Sequence, residues 1–126
     1  MTALFLVRSS VEAAKQSLLK RVKAVCTLAG ADMTTSGEYP GWQYKQDSLL
    51  REKMVSVYEK MYGKKPVVHA IHAGVECGLL IGKKPDLDCV SIGPDMLDIH
   101  TANEKLSISS TARVWDFVVE LLREKG

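Results

Sequence analysis

The residues of this 126-residue chain best suited to chemistry near neutral pH are its three histidines, His69, His72 and His100. His100 lies in Ser91-Ile92-Gly93-Pro94-Asp95-Met96-Leu97-Asp98-Ile99-His100-Thr101-Ala102-Asn103-Glu104, a loop that follows an apolar run and precedes a helical one. A neutral imidazole there could ligate zinc, with nearby acids or carbonyls fixing its tautomer; a lone loop histidine is more often a surface residue. His72 belongs to Ile71-His72-Ala73-Gly74-Val75-Glu76-Cys77-Gly78, where an apolar strand gives way to a helix. Ligands of open α/β sheets bind beyond the carboxyl ends of strands, so the polar groups of this stretch are well placed for function. The same spacing is equally satisfied by glycines that make a turn and a solvated Glu76. Arg8 ends another apolar run ahead of Ser9 and Ser10 and could clamp a carboxylate by a bidentate contact, although a solvated strand-end arginine is commoner. His69 points along a strand and reads as structural.

One zinc ion needs about three or four protein ligands, and two-metal hydrolytic sites need about five with a bridging carboxylate. This chain offers His100, with Glu76 as a distant second. HExxH, HxD after a strand and paired glutamates do not occur, nor do GxGxxG, a P-loop or a GxSxG elbow. The deficit argues against autonomous metallohydrolase activity, and no residue is assigned as catalytic. Cys26, Cys77 and Cys89 are odd in number and lack CxxC spacing, so they read as small buried apolar residues.

Hydrophobic residues at 46% and charged residues at 25% fit a folded globular domain. A net charge of +2, with basic residues scattered among acids, argues against a nucleic-acid surface. No apolar run reaches the roughly 18 residues a membrane span requires, and the stretch from Met1 to Val7 is too short for a signal-peptide core. The expected location is the cytoplasm.

Residues 3–7, 67–71 and 87–92 are continuous apolar runs of strand length. Residues 11–28 carry apolar positions at helical spacing, with Ser9 and Ser10 offering N-cap hydroxyls and Gly30 a stop. Tyr39-Pro40-Gly41-Trp42 is a turn signal after a polar, extended stretch. Asp47-Ser48 caps a helix through Leu50, Met54, Val57, Tyr58 and Met61 that stops at Gly63. Residues 74–80 enter another helix, and residues 107–125 form a terminal one, capped by Ser109 or Ser110, with Ala112, Trp115, Val118, Val119 and Leu122 inward. The strand, helix, strand order of the second half predicts a parallel crossover. The fold class is α/β, with a composition shift near residue 45 marking the boundary.

Taken together, Val7-Arg8-Ser9-Ser10, Leu28-Ala29-Gly30-Ala31, Tyr39-Pro40-Gly41-Trp42, Ile71-His72-Ala73-Gly74-Val75-Glu76-Cys77-Gly78-Leu79 and Val90-Ser91-Ile92-Gly93-Pro94 resemble the aminoacyl-histidine dipeptidases, a family of dinuclear zinc metallopeptidases that cleaves Xaa-His dipeptides. The resemblance covers nearly the whole chain. It implies that residues 1–45 are the closing half of a lid and dimerisation domain of α+β type, and that residues 46–126 are the C-terminal part of the α/β catalytic domain. His100 then corresponds to the last zinc ligand, Arg8 to an arginine that contacts substrate carboxylate, and His72, Gly74 and Glu76 to the glycine-rich turn lining the substrate site. Asp95 and Asp98 add two carboxylates to the same loop as His100. The HxD pair, the adjacent glutamates and a further acidic ligand of the family have no counterpart here.

The expectation is thus a C-terminal fragment of a dipeptidase, inactive alone, whose two zinc ions would be absent or weakly bound. The intact enzyme would take a dipeptide substrate, with neither nucleic acid nor membrane as partner. An exposed edge from a half-built lid or sheet leaves a homodimer or a domain swap open. The alternative is a non-catalytic, dimerising interaction module; a small enzyme using His100 and Glu76 without metal is less favoured than either.

Overall fold

The computed structural model describes residues 1–72 and 76–124. Along the chain these form helices α1 (Glu12–Leu28), α2 (Leu49–Tyr62) and α3 (Glu76–Lys83), short strands β1 (Met96–Leu97) and β2 (Lys105–Leu106), and helix α4 (Ile108–Arg123). The chain divides into two compact units, Met1–Gln46 with His69–Leu87 and Asp47–Val68 with Asp88–Gly126.

In the first unit, the N-cap of α1 is Val11, whose side chain cannot cap; the Ser9 hydroxyl instead accepts the Val11 N–H at 3.1 Å. Its C-terminus closes as the sequence predicts. Gly30 takes φ +66°, its N–H reaches the Thr27 carbonyl at 3.1 Å, and the Ala31 N–H reaches Cys26 at 2.9 Å. These paired bonds satisfy carbonyls that the helix leaves open, and glycine enters that backbone region without a Cβ clash.

The Tyr39-to-Trp42 segment is held against the start of α1. Gly41 N–H donates to Glu12 Oε2 at 3.0 Å, and Lys15 Nζ lies 2.7 Å from the same oxygen while also donating to the Tyr39 carbonyl. Glu12 also accepts from Gln16 Nε2 at 2.9 Å. Lys15, then Gln16 and the Gly41 N–H, together lower the Glu12 carboxyl from 4.5 to about 2. A depressed folded value means that this cluster stabilises the fold fully above pH 4.5, the unfolded value, and loses its contribution as pH falls from there towards about 2. Because the Glu12 side chain is half exposed, solvent screening keeps the effect small. Acid unfolding of Glu12→Gln should therefore lose part of the wild-type pH dependence between 4.5 and about 2; identical curves would remove the cluster's role.

The second unit is organised by α2 and α4. Ser48 caps α2, its Oγ accepting from Arg51 N at 3.1 Å and donating to Asp88 Oδ1 at 2.8 Å, while Asp88 Oδ2 takes the Leu50 N–H at 3.1 Å. One serine and one carboxylate thus satisfy orphan N–H groups of the first turn, where the helix dipole also favours negative charge. Gly63 ends the helix at φ +67°, its N–H on Glu59 O at 2.9 Å.

Met54, Val57 and Phe117 are buried, with Leu50, Tyr58, Met61, Tyr62, Val90 and Leu121 packed around them. The Tyr58 and Phe117 rings meet edge to face, centroids 5.8 Å apart. The polar rim includes Tyr62 OH donating to Arg113 O at 3.1 Å and Lys60 paired with Glu124.

Several expectations are corrected. Residues 3–7, 67–71 and 87–92 lie in no ladder; the sheet among the described residues is the antiparallel β1–β2 pair, Met96 opposite Leu106 and Leu97 opposite Lys105. A continuous apolar run becomes a strand only when neighbours take up its N–H and C=O groups, and here Leu4, Phe5 and Leu6 stay exposed, as do Val67, Val68 and Ile71. The parallel crossover accordingly does not form among the described residues.

On α4 the cap is Ser107, which accepts from Ser110 N at 3.3 Å; β2 delivers the chain to it in the extended conformation an N-cap needs. Ser110 is buried instead, its Oγ accepting from Asp95 N at 2.8 Å. The inward face is also rotated from the expected one: Phe117 is buried while Trp115 and Leu122 are exposed.

Candidate functional site

His100 sits in the seven-residue loop Asp98–Glu104 that joins β1 to β2. The loop closes on its own atoms. Thr101 N and Oγ1 both donate to the Asp98 carbonyl, at 3.2 and 2.7 Å, Asn103 N donates to Thr101 Oγ1 at 3.2 Å, and Glu104 N to Thr101 O at 3.2 Å. Asp98 at φ +51° and His100 at φ +66° are the non-glycine residues with positive φ among those described. Such conformations cost about 1–3 kcal/mol each and persist where the surroundings enforce them, commonly at functional sites.

The His100 main-chain N–H donates to Glu104 Oε2 at 3.0 Å, whereas its imidazole is exposed and has no hydrogen-bond partner among the described residues. A free imidazole on a backbone fixed in this way is chemically competent as one metal ligand. No group of three His, Cys, Asp or Glu able to hold a metal occurs among the described residues. Asp95 is engaged structurally, its carbonyl accepting from Ser107 N at 3.0 Å and its Oδ2 lying 3.4 Å from Arg113 Nη2.

The other candidates lie in the first unit. Ser10 N–H donates to His72 Nδ1 at 3.1 Å, and Ser10 Oγ lies 3.2 Å from the same nitrogen. A backbone N–H can only donate, so the neutral His72 ring carries its proton on Nε2 and offers that N–H outward. Two residues before Ser10, the exposed Arg8 guanidinium has no partner among the described residues. Glu76 is the exposed first residue of α3. Gly74 lies outside the described residues.

What positions His72 is a set of close backbone approaches. A Cβ on Gly41 would stand 2.7 Å from the Ser10 carbonyl oxygen, and one on Gly78 2.6 Å from that of Pro40. Segment 39–42 therefore seats on α3 on one side and against the chain entering α1 on the other, which leaves Ser10 beside His72.

The sequence singles out His100, Arg8 and His72 as candidates and gives no site role to Ser10 or Glu104. Ser10 reads as a helix cap, and only its 62-residue separation from His72 being closed in the fold reveals the contact. Glu104 had a weak signal, an acid four residues after the histidine within a turn.

No family model matches the chain. Over 119 residues, 94% of its length, it is 35% identical to the cytosol non-specific dipeptidase of Escherichia coli (strain K12) and covers 24% of that protein. It also resembles the crystal structure of aminoacylhistidine dipeptidase from Vibrio alginolyticus, with a TM-score of 0.74 and 37% identity, covering 94% of this chain and 25% of that one. The likeness in fold bears out the α/β class, with helices and a small antiparallel sheet forming part of a larger architecture. The resemblance read from the residues is thus borne out: the chain is similar to these two dipeptidases in sequence and to the second in fold, and it spans about a quarter of the length of each.

Proposed function

We propose that this chain is the C-terminal part of a cytoplasmic metal-dependent dipeptidase that hydrolyses Xaa-His dipeptides with a metal-activated water, and that it is catalytically silent alone. The observation that carries the reading is His100, an exposed imidazole with no partner among the described residues, on a positive-φ backbone, in a chain 37% identical to an aminoacylhistidine dipeptidase. Within this proposal residues 1–45 belong to the lid and dimerisation domain, and residues 46–126 to the catalytic domain.

The role of His100 is to donate a ring-nitrogen lone pair to one of two zinc ions. Zinc, when bound, supplies the Lewis acidity that polarises a carbonyl and activates water. Arg8 offers a fixed fork of N–H donors to a substrate carboxylate, and His72 an Nε2–H donor of defined tautomer; Gly74 and Glu76 are assigned to the same substrate site by the resemblance. None of these serves as general base, which is why the isolated chain is proposed to be inactive. A homodimer is part of the reading, supported by the exposed, unladdered Leu4, Phe5 and Leu6. Sedimentation giving monomer alone at high concentration would remove it. Among the described residues no helix is long and apolar enough to cross a membrane.

The test compares the 126-residue chain with the same chain replacing the corresponding quarter of the E. coli dipeptidase. With zinc and an Xaa-His dipeptide, the joined protein should release histidine and the isolated chain should not. Hydrolysis by the isolated chain, or none by a folded joined protein, would overturn the proposal.

A further inference from the structure

The His100 loop contains two backbone conformations that L-residues avoid, and neither is relieved by glycine. Asp98 has φ +51° and its carbonyl is gripped twice by Thr101. His100 has φ +66°, and the bond that engages its backbone runs to a side chain, the carboxylate of Glu104, at 3.0 Å. Its ring makes no bond with a described residue, so among the described residues it is the backbone that sets the direction in which the imidazole is presented.

Glu104 is itself placed. Its own N–H is bonded to the Thr101 carbonyl at 3.2 Å, and the next residue, Lys105, pairs with Leu97 across β1 and β2. The carboxylate therefore projects from the anchored end of the loop onto the unanchored residue at its crest. A charged acceptor on a backbone N–H makes one of the stronger hydrogen bonds available, and here it acts on a residue held in the left-handed region.

We infer that Glu104 is a positioning residue for His100, its carboxylate holding the histidine backbone in the left-handed region and thereby fixing where the imidazole is offered to a metal. This rests on the proposal that His100 is a zinc ligand. Glu104 does not touch the metal in this role. It limits the conformations His100 must give up on binding, in the way that groups behind a ligand tune metal affinity by orienting it.

The test has two readouts. In the 126-residue chain, Glu104→Ala should speed amide exchange at His100 at least about tenfold with helix content unchanged, because the acceptor is gone. In the joined dipeptidase, titrated with zinc alone, the same variant should bind about 10–100-fold more weakly, the usual effect of removing a partner that orients a ligand. Glu104→Gln keeps an acceptor oxygen and should restore most of both; it also decides the matter if the alanine variant fails to fold. Wild-type exchange or wild-type zinc affinity in Glu104→Ala, with binding abolished by His100→Ala, would overturn the inference. So would a glutamine variant as weak as alanine, since charge and not position would then be the cause. If His100→Ala itself leaves zinc affinity unchanged, the ligand reading fails instead.

Discussion

Phe117→Ala is expected to destabilise the α2–α4 unit by about 3–5 kcal/mol, the range for truncating a buried aromatic residue without collapse of the site. The case for the upper part of that range is how little else fills this core. Among the described residues Met54 and Val57 are the other buried apolar side chains, and the Phe117 ring meets that of Tyr58 edge to face. Tyr58 in turn contacts Tyr62, whose hydroxyl is tied to the Arg113 carbonyl on α4, so the rings cannot readily close over the cavity. Urea unfolding followed by circular dichroism reads the loss. Trp115→Ala is the matched control: the side chain is larger but 69% exposed, and its replacement should cost no more than about 0.5 kcal/mol. A larger loss for Trp115 than for Phe117 would show that the helix packs by its other face.

That control addresses what the sequence leaves open. Helix α4 carries two apolar stripes, Val114, Phe117 and Leu121 on one and Trp115, Val118 and Leu122 on the other. Periodicity locates a helix but cannot rank two stripes; the choice falls to α2, which offers Met54 and Val57 as partners. Helix ends were legible for the opposite reason, because their causes are local. Ser48 before α2, Gly63 after it and Gly30 after α1 act through atoms within about four residues.

Strands were not legible, since their hydrogen bonds depend on segments distant in sequence, and the runs at residues 3–7 and 67–71 find none among the described residues. For the site, His100 and Arg8 could be singled out by type and flanking residues. The left-handed backbone of His100 could not, because a histidine at a turn crest gives no glycine-like signal, and it is Glu104 that makes the conformation tenable.

Gly78→Val is expected to cost about 3 kcal/mol, near the top of the usual range for overpacking. Helix propensity alone predicts a small gain on replacing a glycine within a helix, so the sign of the result separates the two effects. The deciding distance is 2.6 Å from the position of a Cβ at residue 78 to the Pro40 carbonyl oxygen. That oxygen is backbone, and Gly41 beyond it has its N–H on Glu12 and only 2.7 Å between the position a Cβ would take and the Ser10 carbonyl oxygen, so the segment has little room to retreat. Gly78→Ala should show a smaller loss of the same sign, and Gly82→Ala less again, because its new methyl would meet the Pro40 ring edge at 2.8 Å, where pucker can give. Stability of the three variants, with amide exchange at Gly41 and Ser10, tests the ordering; a stabilised Gly78→Ala would mean that the close approach is not there. Ser10 matters most in that measurement. Its N–H fixes the His72 tautomer, so a valine two residues beyond Glu76 should disturb the imidazole without touching it, and the His72 nitrogen shifts should move together with the Ser10 amide.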